Sequence, residues 1–352
     1  MKQTSLQAAL QHWQESVSFP GASLGIVRGD EAPQGLVIGW ADKERKIPLK
    51  PTDRMLQGSV GKTYVAAVAL QLVQEKKLVL DEKLSVYLGK ESWFSRLPNA
   101  AELTIRQLMN HTSGLVRFEF KDEFIRDLLA HPDKVWKPEE RLAYIFDTKA
   151  PFAAGQGWEY SDTNYIVLGM VIEHTTRSTY YDEAKKRLLK PFQLSDTLPS
   201  DRRRIPRLVQ GYAGKDNPFG GSDTMLKDGQ LAFNPQVEWC GGGMASTAKD
   251  LARWGKRLYE AKAFSQELHE EQVHGVPAQL GPNVTYGLGT MIRPTPLGVA
   301  WGHSGYFPGY LTELLYFPEH KLSMALQVNT SVPKTLGKPL VRQLIELAEL
   351  AK

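Results

Sequence analysis

Residues 57 to 63, QGSVGKT, carry two overlapping patterns with different chemical meanings. Gly61-Lys62-Thr63 matches the end of a phosphate-cradling G-x-x-x-x-G-K-[ST] loop, whereas Ser59 and Lys62 form S-x-x-K. The phosphate loop requires a glycine at position 56, where Leu56 stands, and PLKPTDRM upstream is not the buried strand such a loop follows. The nearby apolar-Asp step, LVLD ending at Asp81, comes too soon to hold magnesium. S-x-x-K fits better, because residues three apart on a helix share a face and bring the Lys62 amine over the Ser59 hydroxyl. Serine is a poor nucleophile at neutral pH without an adjacent base. Lys62 can be that base if its surroundings lower its pKa, and the apolar run YVAAVALQLV supplies desolvation of that kind. A helix beginning at Ser59 would also aim backbone N–H groups at developing negative charge. Read alone, the motif is so common by chance that Ser59 is better taken as a helix cap and Lys62 as a solvated side chain.

Further motifs accompany it. WEYSDTNY places Tyr160, Ser161 and Asp162 in a turn before a helix, and WGHSGY places His303, Ser304 and Gly305 at the end of a strand. Together with LTIRQLMNHTSGL and GGGMASTAKDLARW, in this order and spacing, they resemble the serine β-lactamase and penicillin-binding-protein superfamily. The similar branch has S-x-x-K, Y-x-N and K/H-x-G motifs and holds class C β-lactamases, D,D-carboxypeptidases, D-aminopeptidases and β-lactamase-like esterases. The resemblance runs from about residue 15 to the final helix. It implies that Ser59 is acylated and that Lys62 and Tyr160 share the proton traffic, with either as the base. A phenol can act as a base only beside a cation that stabilises its phenolate, and Lys62 is the expected cation. It also implies an oxyanion hole from the backbone N–H groups of Ser59 and Tyr306, with Asp162, His303, Ser304 and Gly305 meeting the substrate.

Two positions depart from the pattern. His303 stands where the β-lactamases of this group usually have lysine; histidine near its ordinary pKa is only partly charged at neutral pH, which leans towards esterase or peptidase chemistry. Asp162 replaces the usual asparagine. An ionised carboxylate only accepts hydrogen bonds, so Asp162 either pairs with Lys62, favouring Tyr160 as base, or caps the helix from Thr163. Ser161-Asp162 also matches the start of an S-D-N triplet, which Thr163 does not complete. His111-Thr112-Ser113-Gly114 lacks the first glycine of a nucleophile elbow, and His269 and His274 are one residue off the spacing of a zinc helix. Gly241-Gly242-Gly243 precedes a helix and could suggest anion binding, but the resemblance implies a structural loop near the active-site floor.

These residues need elements to hold them. A helix is expected over 5–17, a hairpin from strands 22–27 and 35–40, and helices over about 60–76, 104–110, 121–130, 137–147, 163–176 and 179–190. Residues 195–240 read as long loops, followed by a helix over 247–261, strands over 285–292, 299–303, 310–317 and 322–329, and a helix from about 335. The expected fold is thus α/β (α+β): an antiparallel sheet from both chain termini (1–75 and 236–352), flanked by helices, with a mostly helical region (76–235) and the active site between them. This is the β-lactamase/transpeptidase-like arrangement that the resemblance implies.

Composition narrows the partners. The 352 residues carry 43 basic and 39 acidic side chains, a net charge of +4 with no basic stripe, so nucleic acid is not expected. The single cysteine, Cys240, excludes an intrachain disulfide and a thiolate metal cluster. The longest apolar run is about half a bilayer span. The N-terminus lacks the roughly 7 to 15 residue apolar core of a secretion signal. The chain as written therefore reads as cytoplasmic; one from which a signal had been removed would be periplasmic or secreted. The resulting expectation is a cofactor-free, metal-free serine hydrolase acting on a carboxylic ester, small amide or peptide. A weak β-lactamase or D,D-peptidase is the alternative, and a non-hydrolytic binding or sensor protein is the alternative of another class.

Overall fold

Alternating apolar residues at both ends of the chain make strands, and these meet in one sheet. The computed structural model describes residues 2–352. From the N-terminal side come β1 (Gly21–Arg28), β2 (Gln34–Asp42) and β3 (Ile47–Pro48). From the C-terminal side come β4 (Val276–Pro277), β5 (Thr285–Tyr286), β6 (Met291–Thr295), β7 (Gly298–Phe307), β8 (Tyr310–Phe317) and β9 (Leu322–Val328). The sheet order is β3-β2-β1-β9-β8-β7-β6-β5-β4, antiparallel throughout. The last strand thus lies between the first strand and β8, with Ala22 opposite Val328 and Arg28 opposite Leu322.

Five helices position the site: α1 (Lys2–Val17), α2 (Lys62–Gln74), α3 (Asp162–Thr176), α4 (Ala248–Tyr259) and α5 (Leu340–Ala351). β9 is buried at every position because both faces of the sheet are covered. Leu322, Met324, Leu326 and Val328 pack with Leu6 and Leu10 of α1 and Leu344 and Leu347 of α5. Ala325, on the opposite face by strand alternation, joins the larger core with Leu251 and Trp254 of α4. α2 is buried from Lys62 through Leu70, so the helix after Ser59 runs through this larger core.

The long periodic elements match expectation, and the differences have local causes. The expected strand over 285–292 breaks into β5 and β6 around a turn closed by Gly287 N–H donating to the Thr290 carbonyl at 2.8 Å. β7 continues to Phe307, so His303, Ser304 and Gly305 lie inside a strand rather than at its end. The last helix starts at Leu340, since Gly337 is left-handed (φ 72°) and Pro339, which cannot continue a helix begun earlier, stands at its cap. Residues 195–240 hold two-residue strands; Leu198–Pro199 joins Met55–Leu56 and Met244–Ser246 in a small sheet. Helix Gln266–Gln272 is an addition to the expected set. Among the described residues, no helix is long and apolar enough to cross a membrane, and no group of three or more His, Cys, Asp and Glu could hold a metal.

Candidate active site

Ser59 sits in a 3-10 turn, Gly58–Gly61, with α2 starting at Lys62, so the turn rather than the helix end presents the serine. A Cβ on Gly61 would lie 1.5 Å from the Gly242 carbonyl oxygen, so only glycine lets this turn close onto the 241–243 loop. That approach has a chemical consequence. The Gly241 carbonyl, expected only as floor, accepts a hydrogen bond from Lys62 Nζ at 2.5 Å. Lys62 also donates to Ser59 Oγ at 2.9 Å and to Asp162 Oδ1 at 2.5 Å. An ammonium has three N–H groups, and here each has an acceptor.

Asp162 is the first residue of α3, and the cap position belongs to Ser161, whose side chain makes no capping bond. Of its two expected roles, Asp162 takes the pairing with Lys62. Burial alone would lower the pKa of fully buried Lys62, but the charges of Asp162 and then Tyr160 outweigh it and hold the ammonium above its ordinary range. Lys62 is therefore a fixed cation at neutral pH.

Tyr160 lies over it, with its ring centroid 4.9 Å from Lys62 Nζ. Its hydroxyl is buried without a hydrogen bond of good geometry, while Lys62 and Ser59 are close enough to favour its ionised form. Burial acts more strongly, so the phenol stays above its ordinary pKa. The ring is walled in by residues the sequence reading had not assigned. His111 packs tilted against it at 4.3 Å between centroids and Tyr286 stands edge-on at 6.1 Å. His111 Nδ1 accepts from Ser161 N–H at 3.3 Å, and burial first, then the Lys62 charge, keeps the ring neutral. Its motif, MNHTSGL, was visible, but its packing against Tyr160 has no spacing signature.

His303 is fully buried and does not line the cleft. Its Nδ1 contacts the Ser304 carbonyl at 2.6 Å, which can only accept, so Nδ1 carries the proton and Nε2 accepts from the Tyr286 hydroxyl at 2.8 Å. Burial, then Lys62, pushes its pKa down to about 3. The expected part-charged histidine facing substrate is instead a neutral link behind Tyr160. Strand alternation explains this: the Ser304 and Tyr306 side chains face the cleft while that of His303 faces inward, and Gly305 borders the cleft through its backbone. A Cβ on Gly305 would lie 1.9 Å from the Gln57 carbonyl oxygen, so this glycine fits β7 against the chain entering the Ser59 turn while also bordering the cleft. Ser304 Oγ accepts from Arg293 at 2.8 Å and donates to Glu313 at 2.9 Å.

Two cavities meet at Ser59, Arg117 and Tyr306. The larger, about 880 Å³, is bordered by Trp158, Tyr160, Gln279, Ser304 and Glu313. The smaller, about 110 Å³, runs the other way among phenylalanines. His269 is buried edge-on against Trp301 at 5.1 Å and belongs to the packing there.

Residues 6–348 match the family described as Beta-lactamase. Penicillin-binding protein 4* of Bacillus subtilis (strain 168) is 26% identical over 329 residues, covering 92% of this chain and 71% of that protein. A D-aminopeptidase of Brucella anthropi is 25% identical over 331 residues, covering 93% of this chain and 59% of the relative. Among solved structures, D-amino acid amidase from Ochrobactrum anthropi SV3 complexed with D-phenylalanine superposes with a TM-score of 0.83 at 25% identity, over 99% of this chain and 100% of that one.

Proposed function

This chain belongs to the β-lactamase family and is a serine hydrolase, and we propose that Ser59 is its nucleophile, Tyr160 its base and Lys62 a permanently charged partner to both. The observation that carries this reading is that all three Lys62 N–H groups are engaged. Because Ser59 Oγ accepts from Lys62, its own hydrogen must go elsewhere, and the unpartnered Tyr160 oxygen is the acceptor at hand. A lysine held as ammonium by Asp162 cannot take that proton. The phenolate form of Tyr160 can, with Lys62 beside it as counter-charge.

As the Ser59 Oγ to carbonyl carbon bond forms, the serine proton passes to Tyr160. The oxyanion is held by the backbone N–H groups of Ser59 and Tyr306. Tyr160 then protonates the leaving group as its bond to carbon breaks. Water repeats the sequence on the ester to regenerate Ser59.

The substrate class is a small amide or peptide, in keeping with relatives named D-aminopeptidase and D-amino acid amidase. The large cavity, at about 880 Å³, suits a leaving group of more than one residue. Intact-mass analysis after incubation with a fluorophosphonate tests the nucleophile: one adduct mapping to Ser59 is expected. An unmodified Ser59 would overturn the assignment.

A further inference from the structure

Tyr160 stands on a stretch, residues 157–161, that forms neither helix nor strand. No regular ladder fixes its ring, and the backbone groups beside it must find partners elsewhere. The N–H groups on either side of it both end on His111. Glu159 N–H donates to the His111 carbonyl at 3.1 Å, and Ser161 N–H donates to His111 Nδ1 at 3.3 Å. Between these two bonds the imidazole lies 4.3 Å from the Tyr160 ring, centroid to centroid. One residue thus holds three consecutive ones, by its carbonyl, its ring and its ring nitrogen.

This reach has a backbone cause. His111 follows the short helix Ile105–Met109 and its cap Asn110, and its φ of 64° is left-handed. Glycine is the usual residue where a helix ends this way, and a larger residue is strained there. The side chain is nevertheless fully buried, and its orientation is fixed a second time. Asn164 Nδ2 lies 3.0 Å from Nδ1, and Ser113 Oγ donates to Asn164 Oδ1, which leaves the amide nitrogen towards the ring. With two donors aimed at Nδ1, the proton of the neutral ring sits on Nε2, which is buried without a hydrogen-bond partner. A strained backbone and an unanswered N–H are both unfavourable, and glycine would remove both.

We propose that His111 is the positioning residue of Tyr160, holding the phenol beside Lys62 and Ser59 so that its oxygen meets the serine proton. The inference rests on Tyr160 being the base and names what aims it. The role is geometric, because a proton taken up at Nδ1 would turn the Ser161 N–H away. Tyr286, edge-on to both rings, packs against the pair.

The test is a double-mutant cycle on an uncharged p-nitrophenyl ester, with kcat expressed per site that a fluorophosphonate labels at completion. Tyr160→Phe should lower kcat by about a hundredfold or more. His111→Gly relaxes the left-handed backbone yet should lower kcat by about thirtyfold, with KM changed by less than about threefold. His111→Asn, which tolerates the same backbone and returns an acceptor near the place of Nδ1, should recover part of that loss. In the Tyr160→Phe background His111→Gly should cost less than about threefold, since the phenol it aims is gone. An equal loss in both backgrounds, or an unchanged kcat per labelled site, overturns the inference and leaves Tyr160 standing. A Tyr160→Phe loss below about tenfold removes the base and the inference together. Should the His111 variants not fold, histidine 15N NMR of the unaltered protein decides: from about pH 5 to 9 His111 should keep its proton on Nε2, and a proton on Nδ1 overturns the inference.

Discussion

At the scale of single residues, the central fact is an ammonium with three acceptors and no freedom to leave them. Asp162→Asn removes the one acceptor that bears a full charge. Because Lys62 is fully buried, this should cost about 3 kcal/mol of stability, the usual penalty for orphaning a buried ion, and urea unfolding at pH 7 measures it. Ser59→Ala should lower kcat/KM by about a thousandfold or more and abolish fluorophosphonate labelling. The base leaves its own signature. Since burial holds Tyr160 above its ordinary pKa, its phenolate is scarce at pH 7, and kcat/KM on an uncharged ester should rise about tenfold per pH unit from 6 to 9. A flat profile would count against Tyr160. Ser59, Lys62 and Tyr160 were legible because short motifs hold them, and Asp162 because it sits two residues from Tyr160. His111 and Tyr286 were not, because their packing against Tyr160 joins chain segments far apart in sequence that only the fold brings together.

At the scale of elements, two backbone contacts hold the Ser59 turn in place. Gly61 meets the 241–243 loop and Gly305 meets Gln57, so Gly61→Ala must push the turn away from the carbonyl that Lys62 uses. A loss of about 1–3 kcal/mol by thermal or urea unfolding is expected, as for other overpacked sites, with acylation slowed well beyond that loss. β7 carries a second liability in His303. Its pKa is depressed in the folded protein, so above about 6.5 both states are neutral and the residue costs nothing. As pH falls below that, the unfolded chain binds a proton the folded one refuses, and stability drops until pH reaches about 3. Between pH 7 and 5 this amounts to about 2 kcal/mol, which His303→Gln should remove when urea curves at the two pH values are compared. Long periodic helices and strands were readable from sequence. The two-residue strands and the split between β5 and β6 were not, since pairing partners and turn closure, rather than local period, create them.

At the scale of the whole molecule, the sheet joins the ends of the chain. β9 bonds β1 on one side and β8 on the other, so without it the strands from the two ends have no common neighbour. A chain truncated after Phe317 should therefore show no cooperative unfolding transition by circular dichroism and no labelling of Ser59. That the sheet draws on both ends was readable from where strand-like runs fall; that the final strand takes a central place was not, because alternation reveals a strand's faces but never its neighbours. This placement also sets a schedule for synthesis. Ser59, Lys62 and Tyr160 leave the ribosome well before the strand that completes the sheet beside them. At roughly 5 to 20 residues per second, about 15 to 60 seconds separate the emergence of β1 from that of β9. From the emergence of Tyr160 onwards the proposed catalytic side chains are all present but unassembled, so a chain stalled after that point remains inert until its final strand is released.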